Sequence, residues 1–282
     1  MKKHYLMGLS LLLLGGTMAN AQVRADGEPR QLLKTPMGLM APVWSPDGSM
    51  IAATSDNYAG IYVAKADGTD LRMLSSDSGA GYNMTWSSDS RSIIGRVNIA
   101  SAKGTVHEMR SYDLASGNYK AIGERRRTAA QPASLQAKGI FATMTQNPAG
   151  ATAAIPALAQ FAGKTIINPA LSPDGNSIAF QIPGKGMWLI NADGTNLRSL
   201  GKGSHPAWMP DNATILYTIV EDNGSNFTAS TLMSMNIANG ASSEVIKRAD
   251  FLPLTPSVAP DGSKVAFENG ADAAIYVVNL KK

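Results

Sequence analysis

The chain has 282 residues, a formal net charge of +4, 16% charged residues and no cysteine. The missing cysteine excludes a disulfide framework, a thiolate zinc site and lipid attachment at a cysteine. So small a positive excess, with Lys2 and Lys3 contributing to it, carries no electrostatic footprint for nucleic acid or an anionic membrane.

In chain order, the first element is a leader. Lys2, Lys3 and His4 are basic, Leu6 to Gly16 is a short apolar run, and Ala19-Asn20-Ala21 places small residues at a cleavage site. This order predicts a signal peptide over 1–21, cut between Ala21 and Gln22, and a periplasmic or secreted mature chain 22–282 forming one domain. The run is short of the roughly 20 residues a membrane span needs, so a retained anchor is the weaker alternative, and no later run is long enough. Pro29 to Lys34 follows as a spare strand-like segment.

Repeats then organise the chain. Pro42-Val43-Trp44-Ser45-Pro46-Asp47-Gly48 precedes Met50-Ile51-Ala52-Ala53. Within this unit Val43-Trp44, Ile51–Thr54, Ile61–Ala64 and Leu71–Leu74 read as four strands, with a Pro-Asp-Gly turn and an Asp67-Gly68 hairpin between them. Trp86-Ser87-Ser88-Asp89 opens a second, looser copy. Pro132 to Ala142 is the best candidate for a decayed third. Pro169 to Gly175 followed by Ser177-Ile178-Ala179-Phe180 is the fourth, Pro206 to Asp211 the fifth, and Pro256 to Gly262 followed by Lys264-Val265-Ala266-Phe267 the sixth. Units of about 43 residues fit the four-stranded blade of a propeller. No segment has a helical period. The expected fold is therefore all-β: a six-bladed β-propeller of four-stranded antiparallel blades. The last unit stops at its third strand, Ile275–Leu280, so the N-terminal segment is expected to complete that blade and close the ring.

Ser-Pro-Asp-Gly before Ile-Ala-Phe, with Asn191-Ala192-Asp193-Gly194-Thr195-Asn196-Leu197-Arg198 later, resembles the WD40-like repeats of the TolB propeller family over roughly residues 30–282. The resemblance covers the propeller alone, without the N-terminal α/β domain that TolB carries. It implies protein–protein binding in the cell envelope. The same repeats occur in the propellers of prolyl-oligopeptidase-like and tricorn-like proteases, but no hydrolase domain follows here.

Asp47, Gly48, Asp174, Gly175, Asp261 and Gly262 read as structural turn residues, because equivalent turns on different blades lie too far apart to share a metal. Asp67-Gly68-Thr69-Asp70 lacks the acidic set of a calcium loop. Trp44, Trp86 and Trp208 share one repeat position, which points to packing between blades. His107 and His205 are the histidines left after the leader, and no Gly-x-Ser-x-Gly elbow exists. No catalytic residue, metal or cofactor is expected.

The loops joining blades share a face with the second-to-third-strand loops, where longer and more variable segments gather. Ala41, Asn83, Gln131, Asn168, His205 and Thr255 stand just before the inner strands and are expected to ring the channel mouth. Tyr82, Arg126, Phe227 and Phe251 are expected around them, residue types that anchor interfaces. Tyr82, Asn83, Arg126, Gln131, Asn168, His205 and Phe227 form the candidate binding set. The reading is an exported, monomeric, non-catalytic module that holds a protein or peptide in the cell envelope. The alternative is a hydrolase-like enzyme, or a binder of a small ligand or carbohydrate, with its site at the channel mouth.

Overall fold

The computed structural model describes residues 22–127, 130–132 and 137–282. The expected leader, 1–21, and residues 128–129 and 133–136 around the third repeat lie outside the described residues. The rest forms five four-stranded antiparallel sheets. The first blade is β2 (Met40–Trp44), β3 (Met50–Thr54), β4 (Ile61–Lys65) and β5 (Arg72–Ser75); the second is β6 (Thr85–Trp86), β7 (Ser92–Ser101), β8 (Gly104–Asp113) and β9 (Tyr119–Arg126). A third blade is β10 (Ile167–Leu171), β11 (Ser177–Ile182), β12 (Gly186–Asn191) and β13 (Arg198–Gly201). A fourth is β14 (Ser204–Trp208), β15 (Thr214–Asp222), β16 (Phe227–Asn236) and β17 (Ser242–Ile246). The last joins β18 (Pro253–Val258), β19 (Lys264–Asn269) and β20 (Ala274–Lys281) to the N-terminal strand β1 (Arg24–Leu33). Because β1 pairs with β20, Arg24 opposite Lys281 and Gln31 opposite Tyr276, the two ends of the chain are tied into one sheet.

The repeat count predicts six blades, and the structure corrects it to five. The third repeat holds helices: α1 (Gly139–Gln146), α2 (Ala151–Ala154) and a 3-10 helix at Pro156–Phe161. The reason is local. This stretch lacks the Pro-Asp-Gly turn and is rich in alanine, the strongest helix former. Met144, Ala151, Ile155, Leu158, Phe161 and Ile166 pack on Ile178, Phe180, Ile182 and Ile190, so the helices cover the sheet face that a preceding blade would cover. Phe161 meets Trp188 edge-on with ring centroids 4.7 Å apart.

Middle strands are buried on both sides because each blade is sandwiched between neighbours. In β3, Ile51 and Ala53 face Ala266 and Ile275 of the last blade, while Ala52 faces Trp86 and Ile93 of the second. Alternate side chains of one strand thus serve two interfaces. Tryptophan stitches neighbouring blades together. Trp44 Nε1 donates to Ser257 O at 3.1 Å, Trp86 Nε1 to Val43 O at 3.0 Å and Trp208 Nε1 to Ala170 O at 2.9 Å. Each acceptor is the inner-strand carbonyl of an adjacent blade.

The Pro-Asp-Gly turns saturate themselves with hydrogen bonds. Ser45 Oγ donates to Asp47 Oδ1 at 2.6 Å, Ser49 N donates to the same oxygen at 3.0 Å, and Gly48 turns at φ 70°. These donors, led by Ser45, hold the Asp47 carboxyl at about 2. Asp174 accepts from Ser172 and Asn176, and Asp261 from Ser263.

Replacing Trp86 by Phe keeps most of the packing but removes the donor to the part-buried Val43 carbonyl, so urea unfolding should show a loss of about 1 kcal/mol. Trp86→Ala should cost about 3–5 kcal/mol. An unchanged midpoint in both would remove the stitch from the account of stability.

Candidate functional site

The inner strands begin on the face shared by the blade-to-blade connections and the second-to-third-strand hairpins. The residues that open them have an uncommon backbone. Ala41 (φ 50°), Asn83 (φ 48°), Asn168 (φ 50°), His205 (φ 53°) and Thr255 (φ 45°) are all left-handed. Proline follows four of them, and in those four blades the pairing of first and second strands slips at that point, as between Met40 and Val43. A left-handed L-residue costs about 1–3 kcal/mol, with a β-branched one such as Thr255 the least tolerated. Repetition of the left-handed residue in all five blades, and of the slip in four, makes it a built feature of the face.

The five residues converge, together with Gln131, on one cavity of about 260 Å³. Asn83, Gln131, Asn168 and His205 of the candidate set therefore lie together. Tyr82 adjoins them. Arg126 does not line the cavity; it ends β9 opposite His107 and is exposed. Phe227 also stands apart, 53% exposed near the tip of the long β15–β16 hairpin and opposite Asp222. Phe251 is not at the mouth: it is buried against Phe267 and Tyr276 at 6.1 and 4.9 Å.

Directly behind the opening residues, the second strands carry a polar collar at one repeat position: Thr54, Arg96, Gln181, Thr218 and Glu268. Asn168 Nδ2 donates to Gln181 Oε1 at 3.1 Å, and Ser204 Oγ and Thr218 Oγ1 lie 3.0 Å apart. Glu268 Oε2 accepts from Thr255 Oγ1 at 3.2 Å and from Ala41 N at 3.4 Å, joining the last blade to the first. The sequence reading missed the collar; its signal is a polar fourth residue ending otherwise apolar strands in Ile51-Ala52-Ala53-Thr54, Ile178-Ala179-Phe180-Gln181 and Val265-Ala266-Phe267-Glu268. Burial raises the Glu268 carboxyl above its ordinary value, helped by the charge of Asp56, and burial lowers the His205 imidazole. His205 Nδ1 is buried with no hydrogen-bond partner among the described residues.

Tyr82 is held by its own loop. Gly81 N donates to Tyr58 O, and a Cβ at Gly81 would stand 2.0 Å from Thr54 Oγ1, so only glycine lets the loop pass. The Tyr58 and Tyr82 rings meet edge-on at 4.9 Å, and the Arg96 guanidinium lies 4.5 Å from the Tyr82 centroid. Among the described residues no group of three His, Asp or Glu could hold a metal ion, and no helix is long and apolar enough to cross a membrane.

The fold is similar to that of the tricorn protease (15% identity, TM-score 0.51, covering 87% of this chain and 25% of that one). It is also similar to the WD40 repeats of RRP9 (11% identity, TM-score 0.50, covering 92% and 99%). It is a β-propeller. TolB from Acinetobacter baumannii aligns with 89% of this chain at 15% identity and TM-score 0.41, and the chain spans 57% of that protein's length. No family model matches the chain, and no curated protein matches it in sequence. Identities this low establish the fold alone.

Two outcomes test this geometry. Gly81→Ala should lower stability by about 1–3 kcal/mol, read by urea unfolding, because the Cβ forces the loop off Thr54. Glu268→Gln isolates one titration. With its folded pKa raised above the ordinary 4.5, Glu268 binds its proton more tightly in the folded state. Its contribution is full below 4.5 and is lost as pH rises through the raised value. The difference in stability between Glu268→Gln and the parent should therefore grow in the variant's favour across that window. A flat difference would refute the shift.

Proposed function

We propose that the chain is an exported, non-catalytic binding module of the cell envelope that holds a protein or peptide on its channel-mouth face. The observation that carries this reading is the left-handed residue kept at every blade opening around one cavity. Backbone strain of this kind persists where surrounding structure over-determines it, and it concentrates at ligand clamps. The Tyr58–Tyr82 pair supports the reading, since clustered aromatics anchor interfaces. Two long hairpins, β7–β8 and β15–β16, rise on the same face and give it depth, with Phe227 exposed on the second. Export rests on the leader sequence, and the envelope setting on the resemblance of the Ser-Pro-Asp-Gly repeats to TolB propellers.

A second reading has its own observation. His205, whose buried Nδ1 has no partner among the described residues, lines the cavity together with Asn83 and Asn168. A small polar ligand would satisfy it, and His205→Ala would then abolish that binding.

Crosslinking capture from envelope extract decides between them, comparing the chain from Gln22 with a variant carrying Tyr82→Ala, Arg126→Glu and Phe227→Ala. The expected result is a partner captured by the parent and lost by the variant. A folded parent that captures nothing, or a partner retained equally by the variant, overturns the interface on this face.

A further inference from the structure

Arg96 is a charge without a counter-charge. It is 8% exposed, and its Nε has no hydrogen-bond partner among the described residues. Its neighbour Arg110 shows what a satisfied guanidinium looks like here: Asp77 lies at 2.8 Å, Glu108 at 2.7 Å, and the Tyr119 ring at 4.0 Å. Arg96 has the ring of Tyr82 and no carboxylate. Leaving a buried charge unpaired is costly, and nothing in the folding of this blade requires arginine at a position where other blades use threonine, glutamine or glutamate.

The strand register says what Arg96 faces. Arg96 pairs with Met109, Asn98 with His107, and His107 with Arg126. Residues opposite one another in an antiparallel pair project to the same side. Arg96, Asn98, His107 and Arg126 therefore share the side of the second blade turned away from Asp77 and Glu108, toward the third repeat. That repeat cannot neutralise them. Between Glu124 and Asp174 the sequence holds Arg125, Arg126, Arg127, Lys138 and Lys164 and not one aspartate or glutamate. The apolar helices of the repeat are committed to the blade beyond, and the apolar core of the second blade is shared with the first.

We propose that this sector receives a carboxylate from an acidic peptide segment, with Arg96 as the buried counter-charge and Arg126 on the rim. The inference rests on the binding-module reading and names the chemistry of its partner. With one face covered by Tyr82, the guanidinium keeps its edge, Nε included, for the two oxygens of a planar carboxylate. A single guanidinium also matches a single negative charge. Burial first and then Arg96 lower the pKa of His107, whose Nδ1 lies 2.9 Å from Asn98 Oδ1, so the pair adds hydrogen-bonding capacity beside Arg96.

The test titrates the purified protein with fluorescent acetyl-tetraglutamate amide, its tetraglutamine counterpart, and inorganic phosphate as competitor. Saturable binding of tetraglutamate alone is expected, weakened at least about tenfold by Arg96→Met and unchanged by Arg24→Gln, which pairs with Lys281 on the outer strands of the last blade. Equal binding by Arg96→Met, or equal binding of tetraglutamine, overturns the proposal. Phosphate competing with the same midpoint and the same dependence on Arg96 overturns the carboxylate assignment. Without peptide, Arg96→Met should have a higher Tm than the parent; a lower one would mean that the guanidinium is satisfied within the fold, and the site falls. If Arg96→Met still captures the envelope partner as the parent does, this inference fails while the binding module stands. Tetraglutamate binding with no partner captured reverses that outcome.

Discussion

The ring depends on one hydrogen bond repeated in space, from an inner-strand indole N–H to the inner-strand carbonyl of the adjacent blade. A propeller blade has no sheet hydrogen bonds to its neighbours. Apolar packing alone holds blades together without fixing their angular position, because dispersion and hydrophobic burial are non-directional. The indole supplies direction. It brings a large apolar surface and one donor that must find an acceptor when buried. At Trp44, Trp86 and Trp208 that acceptor is a backbone carbonyl at the channel end of the interface, 2.9–3.1 Å away. Fixing the inner strands fixes the opening residues just before them, and through these the width of the mouth.

The stitch is not universal. The inner strand after the third repeat carries Leu171 at the tryptophan position, 37% exposed, and the last blade carries Val258 there although a blade precedes it. At these two interfaces packing replaces the indole hydrogen bond. What the third-repeat side requires is cover for Ile178, Phe180, Ile182 and Ile190, and alanine-rich helices with Ile155, Leu158 and Phe161 provide it. The second blade, on the other flank, turns a mixed side toward this unit, with Arg96, Asn98, His107 and Arg126 beside Ile94 and Met109.

Much of this was legible in residue patterns, and the failures have physical causes. The Pro-Asp-Gly turns, the four strands of each clear repeat and the tryptophan register follow from local chemistry, with proline and glycine presetting dihedrals and one aspartate closing a turn. The sixth blade did not follow. Counting intervals between motif aspartates assumes that each interval holds the same structure, and the alanine content of 139–162 pointed the other way. Among candidate site residues, Asn83, Gln131, Asn168 and His205 were placed by alignment with the inner strands, and the structure brings them together. Arg126, Phe227 and Phe251 were placed by residue type alone, and they scatter to a strand end, a hairpin and the core. The polar collar was missed because a polar residue at the end of an apolar strand reads as a strand boundary.

The two faces of the ring differ in how much hydrogen bonding they leave open. On the turn face, Asp47, Asp174 and Asp261 each accept from their own turn, and the capacity of that face is spent internally. On the mouth face, backbone strain is retained at five openings. Both buried side-chain atoms that lack partners among the described residues, Arg96 Nε and His205 Nδ1, sit at the level of those openings. Folding selects against strain and against orphaned polar atoms alike. Left-handed residues occur on the turn face too, at Asp70, Ser90, Asn196 and Asn212, so what sets the mouth face apart is its pair of orphaned atoms, and the proposed partner-binding reading rests on these.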